Sequence, residues 1–272
     1  MKTGFNQKTV LITGASSGIG KALAMNLLEQ GAQVVICGRD EIKLNEFASL
    51  VNNDPNLLIV KADVSIEEDC KVFVEKAVER FGKIDVLINN AGISMRALFQ
   101  DVDLKVLKQS MDINFWGTVY CSKYALPYIL KTKGSIAGIS SIAGYKGLPC
   151  RTGYSSSKFA MQGFLESLRI ELLHQGVNVL WISPGFVASN IRNTALNASG
   201  TAQTETPLDE SKLMSAEECA SRILNAILQR KRSVIMSTQG KLTVWMNKFF
   251  PKFVDSQVYK HFANEPDSPL KL

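Results

Sequence analysis

Seven short apolar runs, alternating with stretches of helical periodicity, constrain the possible fold of this chain more than any other feature. The strand-like runs are 9–13, 33–37, 57–61, 84–88, 134–140, 177–182 and 233–236. Helical stretches lie near 18–30, 41–52, 66–81, 104–131, 153–174 and 215–230. Such regular alternation predicts an α/β fold, a doubly wound parallel sheet of about seven strands with right-handed crossovers. Capping residues mark several helix starts: Asp40 before Glu41, Ser65 with Glu68 three positions on, and Ser215 with Glu218. No repeat or linker divides the sequence, so 1–272 reads as a single domain.

The composition narrows the class further. With 46% apolar and 21% charged residues the chain is ordinary for a soluble globular protein, and no apolar run reaches membrane-spanning length. Its five cysteines (37, 70, 121, 150 and 219) are scattered, which argues against a disulfide framework or a zinc site. Having only His174 and His261, it is a poor candidate for any histidine-based metal centre. The net charge of +6 is spread along the sequence, so nucleic acid is not implied. The first residues run directly into a strand-like segment, leaving no room for a signal peptide, and the expected location is cytoplasmic.

Between the first strand and the first helix lies Val-Leu-Ile-Thr-Gly-Ala-Ser-Ser-Gly-Ile-Gly, residues 10–20. Gly14, Gly18 and Gly20 let the backbone turn tightly and approach a pyrophosphate, while the helix N-terminus offers N–H groups and a favourable dipole. The spacing is Gly-x-x-x-Gly-x-Gly rather than the commoner Gly-x-Gly-x-x-Gly, and it marks a Rossmann-type nucleotide domain. At the tip of the second strand stand Arg39 and Asp40. An acidic side chain here would bind the ribose diol of NAD, whereas an arginine holds a 2′-phosphate, so Arg39 points to NADP. Asp40 competes for the same reading, but its place before a helix suits an N-cap.

Further on, Tyr154 and Lys158 are four residues apart in Tyr-Ser-Ser-Ser-Lys, thirteen residues after Ser141. Helical spacing puts the two on one face. A cation beside a phenol favours the phenolate and would lower its usual pKa of about 10, giving a usable acid/base.

Together these pieces resemble the short-chain dehydrogenase/reductase family over residues 8–236, in its short single-domain subgroup. The matching motifs are residues 13–20, Asp63-Val64, Asn89-Asn-Ala-Gly92, Asn114, Ser141, Tyr154-x-x-x-Lys158 and Pro184-Gly185. The resemblance implies a nucleotide held by Gly14, Ser16, Ser17, Gly18, Ile19, Gly20 and Arg39. It implies adenine contacts from Asp63 and Val64, and a cleft lined by Asn90 and Gly92. Pro184, Gly185, Val187 and Ser189 would shape the nicotinamide site, Ser189 standing where threonine is usual. In catalysis Ser141 would orient the substrate oxygen and Tyr154 exchange its proton. Lys158 would tune the tyrosine and bind ribose, and Asn114 would hold a relay water.

The expected function is NADP-dependent hydride transfer to or from a fairly hydrophobic carbonyl or secondary alcohol. A redox-neutral epimerase or dehydratase, and a non-catalytic nucleotide-binding regulator, are the alternatives. Ser94, Met95, Tyr145, Leu148, Phe186 and a loop at 190–214 are expected at the substrate pocket. The extension 240–272 mixes Leu242, Trp245, Met246, Phe249, Phe250 and Phe253 with lysines, and Pro251 interrupts any single helix. Packing over the pocket or against a second subunit is the favoured account, with peripheral membrane attachment as the alternative. With Arg39 and this tail, the layout is most similar to the steroid- and retinoid-type branch, and a homodimer or homotetramer is expected.

Overall fold

The computed structural model describes residues 4–187, 191–203, 213–265 and 267–271. Seven parallel strands form one sheet: β1 (Thr9–Thr13), β2 (Gln33–Gly38), β3 (Leu57–Lys61), β4 (Val86–Asn89), β5 (Ser135–Ile139), β6 (Asn178–Ser183) and β7 (Ser233–Ile235). Their spatial order is β3-β2-β1-β4-β5-β6-β7. The strand order reverses between β1 and β4, so the crevice for a ligand opens there, beyond the carboxyl ends of the strands.

Side-chain alternation sends residues to two separate cores. Val10, Ile12, Val34, Ile36 and Ile88 pack under α1 (Gly18–Glu29), α2 (Glu41–Leu50) and α7 (Ala216–Leu228). Leu11, Val35, Leu87, Ile136 and Val179 face α3 (Glu67–Phe81), α5 (Gly117–Thr132) and α6 (Thr152–Glu171). Strands buried on both faces read as continuous apolar runs, which is why the sequence showed them so clearly.

The segment expected as one helix over 104–131 is three pieces. After α4 (Leu104–Met111) come a π-helical turn, Asp112–Trp116, and then α5. Such turns recur at functional sites, and this one carries Asn114. Asp40 and Ser215 cap α2 and α7 as read from the sequence, accepting from the Lys43 and Glu218 amides. The cap expected of Ser65 is not formed: its hydroxyl donates to Asp63 instead, at 2.7 Å, and Ile66 precedes α3. Beyond β7 the chain makes two helices, α8 (Thr238–Phe249) and α9 (Pro251–Ala263), with Pro251 starting the second, where its missing N–H costs nothing.

Candidate active site

The turn from β1 into α1 is tied to the end of β4. Thr13 Oγ1 accepts from the Asn90 and Ala91 amides, both at 3.0 Å. The Asn90 carboxamide donates back to the carbonyls of Thr13 and Gly14, both at 2.9 Å. Gly14 has φ +65°, and a Cβ there would stand 2.7 Å from the Ala91 Cα. At Gly20 a Cβ would meet the Gly14 carbonyl oxygen at 2.5 Å. The glycines thus let the turn pack tightly against the end of β4 and shape the cradle there. Ser17, at the start of α1, makes no side-chain cap bond, and no acidic residue occupies the first turn. The amides at this helix end therefore suit an anion, and the chain fits the diphosphate of a dinucleotide.

At the tip of β2, Arg39 lies 3.7 Å from an Asp63 carboxylate oxygen and is mostly exposed. The other Asp63 oxygen accepts from the Ser65 amide and hydroxyl. Asp40 turns to its own helix, where the Lys43 amide and ammonium hold its carboxyl below the usual range. Its role as a cap is thereby observed. Ser16 and Lys43 line the same end of the cleft, and Lys43 was not anticipated from the sequence.

At the other end, Ser141 follows β5 and caps a short 3-10 turn, accepting from the Ala143 amide at 3.2 Å. Ser141 and Tyr154 line the same cavity, and the Ser141 hydroxyl works to lower the phenol. Lys158, one turn along α6, donates to the Ile139 carbonyl at 2.8 Å, and its ammonium lies 5.8 Å from the Tyr154 ring centre. Burial pulls the lysine down to about 7. Burial also pushes the Tyr154 phenol up, opposed by Ser141 and by the charge of Arg151. Burial thus opposes the lowering expected from the Tyr154–Lys158 spacing and is the largest effect on the phenol.

Asn114 is fully buried behind Gly92, where a Cβ would stand 3.1 Å from its carboxamide oxygen. That oxygen accepts from the Ile93 amide, while its nitrogen donates to the Ile93 carbonyl and to Ser157 Oγ. Both N–H donors are spent on protein partners. The side chain is a strut joining the β4 end to α6, and Gly20 likewise lies behind the cleft wall rather than in it.

A single cavity of about 1170 Å³ joins these two ends. It is lined by all the other residues expected for the nucleotide that fall within the described part of the chain, and by Ser141. Ser189 lies outside the described residues. Of the expected pocket residues, Ser94, Leu148 and Phe186 line the cavity. Tyr145 does not; its oxygen accepts from the Trp181 indole at 2.6 Å, on the face of the sheet under α6. Met95 sits in a small separate core and its sulfur accepts from the Gly153 amide. The tail supplies much of the remaining wall, including Leu242, Met246, Val254, His261, Phe262 and Glu265. Trp245, Phe249, Phe250 and Phe253 of the same helices are more than half exposed. Arg151 was also missed, its only signal being proximity to Tyr154.

A doubly wound sheet with a glycine cradle at its switch point, opening onto a half-buried serine and tyrosine beside a buried lysine, defines a nicotinamide-nucleotide enzyme of the α/β type. The chain belongs to the short-chain dehydrogenase/reductase family, whose short chain dehydrogenase profile matches residues 8–199. It is 36% identical over 255 residues to the 11-beta-hydroxysteroid dehydrogenase-like 4A of Arabidopsis thaliana, covering 93% of this chain and 84% of that one. The Dictyostelium discoideum dehydrogenase/reductase SDR family protein 7-like is 32% identical, covering 95% of this chain and 83% of its own length. A Caenorhabditis elegans short-chain dehydrogenase/reductase of unknown function, solved with cofactor, superposes with a TM-score of 0.74 at 26% identity, covering 87% of this chain and 99% of that one. The Arabidopsis relative agrees with the steroid-type branch read from the sequence layout. The protein is accordingly an oxidoreductase that uses a nicotinamide cofactor on small molecules. No helix among the described residues is long and apolar enough to cross a membrane.

Proposed function

We propose that the protein is an NADP-dependent oxidoreductase acting on a bulky, hydrophobic carbonyl or the matching secondary alcohol. The observation that carries this reading is the half-buried Tyr154, which shares with Ser141 and Lys158 the cavity that begins at the glycine cradle. The nicotinamide, when bound, supplies or takes the hydride. Ser141 orients the substrate oxygen and Tyr154 gives or removes its proton. At neutral pH the raised phenol keeps that proton, the state a carbonyl reduction needs. Lys158 binds ribose hydroxyls, while Asp63 and Val64 flank adenine and Asn90 keeps the cradle in shape. Pro184, Gly185 and Val187 face the nicotinamide, with Ser189 following them in sequence. The tail side chains Leu242, Met246, Val254 and Phe262 make the substrate end apolar, which suits a steroid-sized compound. We place the protein in the cytoplasm. Exposed Phe159 and Ile170 on α6 and Leu173 just after it support an assembly of two or four copies.

A panel of lipophilic ketones and aldehydes, followed by NADPH absorbance, tests the activity. Consumption of NADPH with a bulky ketone is expected. Protein that converts such a compound without consuming nucleotide would instead be a redox-neutral enzyme.

Arg39 carries the choice of NADP. Asp63 is its neighbour but spends one oxygen on Ser65, and Asp40 is turned away to Lys43, so the guanidinium can meet a 2′-phosphate. Charge-assisted bonds contribute about 1.5–3 kcal/mol each, so NADPH should be preferred over NADH by roughly tenfold to more than a hundredfold. Nucleotide titration of Arg39→Ala should show a sharp loss for NADPH and little change for NADH. Equal affinities in the wild type would overturn the assignment.

A further inference from the structure

The tail does more than roof the cleft. Just beyond α9, Glu265 is 7% exposed at its side chain and pairs with two arginines, Arg96 at 3.3 Å and Arg151 at 3.6 Å. Arg151 stands at the N-cap of α6, three residues before Tyr154, and its guanidinium carbon lies 4.5 Å from the ring centre of Phe262, also in the tail. The residue before it, Cys150, is held at φ +60°, and the Cys150 carbonyl accepts from the Ala97 amide. Arg96 is fixed by its own amide, which donates to the Leu196 carbonyl. One carboxylate from the tail thus joins the loop after β4 and the start of the tyrosine helix. A buried guanidinium is costly without a counter-charge, so Arg151 depends on this contact for its place.

We propose that Glu265 is a positioning residue for the reaction, holding Arg151 at the mouth of α6 so that the tail sets both the cleft wall and the field at the Tyr154 phenol. This rests on the reading of Tyr154 as the acid/base. Among the described residues, the groups on the phenol's side of the cleft come from four places. Lys158 and Arg151 come from its own helix and Ser141 from the turn after β5; Ile93, Met95, Leu107 and Leu196 are apolar. The loop after β6 brings Arg192 to the same cleft, and the tail brings His261 and Glu265. Arg151 lowers the phenol, and Glu265 opposes part of that charge.

The two partners therefore act on the tyrosine with opposite sign. In Glu265→Gln the carboxamide can still accept from the guanidinium and the Phe262 ring still covers it, so Arg151 stays in place but is no longer neutralised, and the tyrosine limb of the kcat–pH profile should move to lower pH. A shift of roughly half a unit to one unit is expected, less than the ~1–3 units of a direct charge contact. In Arg151→Gln the limb should move to higher pH, and the double variant should return near the wild type. The KM for a bulky ketone should rise in both single variants. A tail that only packs would raise KM and leave the limb in place. An unmoved limb, or one that moves the same way in both variants, would overturn the proposal. Labelled-tyrosine NMR titration of the full chain, assigned with Tyr154→Phe, reads the same shifts without turnover. If Tyr154→Phe kept full activity the acid/base reading would fall, while the titration would still judge the Glu265–Arg151 arrangement by the sign of its shifts.

Discussion

Tyr154→Phe is expected to lose nearly all turnover while keeping its fold and its nucleotide. The ring packs beside the small core of Met95, Ala97, Val102, Val106 and Leu196, and phenylalanine keeps that volume. What disappears is the phenol oxygen that shares the cavity with Ser141, and with it the proton donor that α6 places there beside Lys158, which donates one N–H to the Ile139 carbonyl and faces the ribose. A positioned acid/base contributes typically ~10²–10⁴-fold, and a fall in kcat of that size is the expected result. Loss of the hydroxyl should cost folding no more than about 1 kcal/mol. Saturating-substrate assays by NADPH absorbance, beside nucleotide titrations of both proteins, make the comparison. Wild-type kcat in the variant would remove Tyr154 from the chemistry. The pH dependence should agree: with the phenol as acid, reduction falls as pH rises through its raised value.

Much of this arrangement was legible in the sequence because it is local. Continuous Val/Ile/Leu runs reported strands buried on both faces, and the glycine run reported a turn too tight for side chains. Helical spacing brought Tyr154 and Lys158 to one face, and Asp40 before Glu41 announced a cap that the structure forms. What spacing cannot report is surroundings. Four residues on a helix give adjacency, but the lysine donates to the Ile139 carbonyl and loses solvent to the chain around it, so burial rather than pairing dominates both groups. The helical pattern runs unbroken through 104–131, because one wide turn at Asn114 barely disturbs its period. Tyr145 sits close to Ser141 in sequence yet is drawn to Trp181 across the sheet. Arg151 and Glu265 are far apart along the chain, and only the return of the tail over the cleft joins them.

Lys158→Met should produce a protein that is more stable than the wild type near neutral pH and nearly inactive. The folded lysine lies at about 7 against an ordinary 10.5, because burial disfavours its charge. Between those two values the unfolded chain binds more protons than the folded one, so wild-type stability rises with pH across that window. Below it the burial penalty is fully present, and the drop corresponds to at most roughly 5 kcal/mol. Methionine fills a similar volume and removes the penalty, but it leaves the Ile139 carbonyl without its 2.8 Å donor, a cost of about 1–3 kcal/mol. The balance favours the variant by a few kcal/mol near pH ~6. The advantage should shrink as pH rises and reverse above about pH 10, where the wild-type lysine is neutral and still bonded. Urea unfolding of both nucleotide-free proteins across this range measures the crossing. A variant less stable at every pH would show that the lysine is not held against its charge. Turnover and nucleotide affinity should both fall, since the ammonium beside Gly92 would no longer be there to meet ribose. Stability gained where activity is lost is the expected mark of a residue kept buried for chemistry.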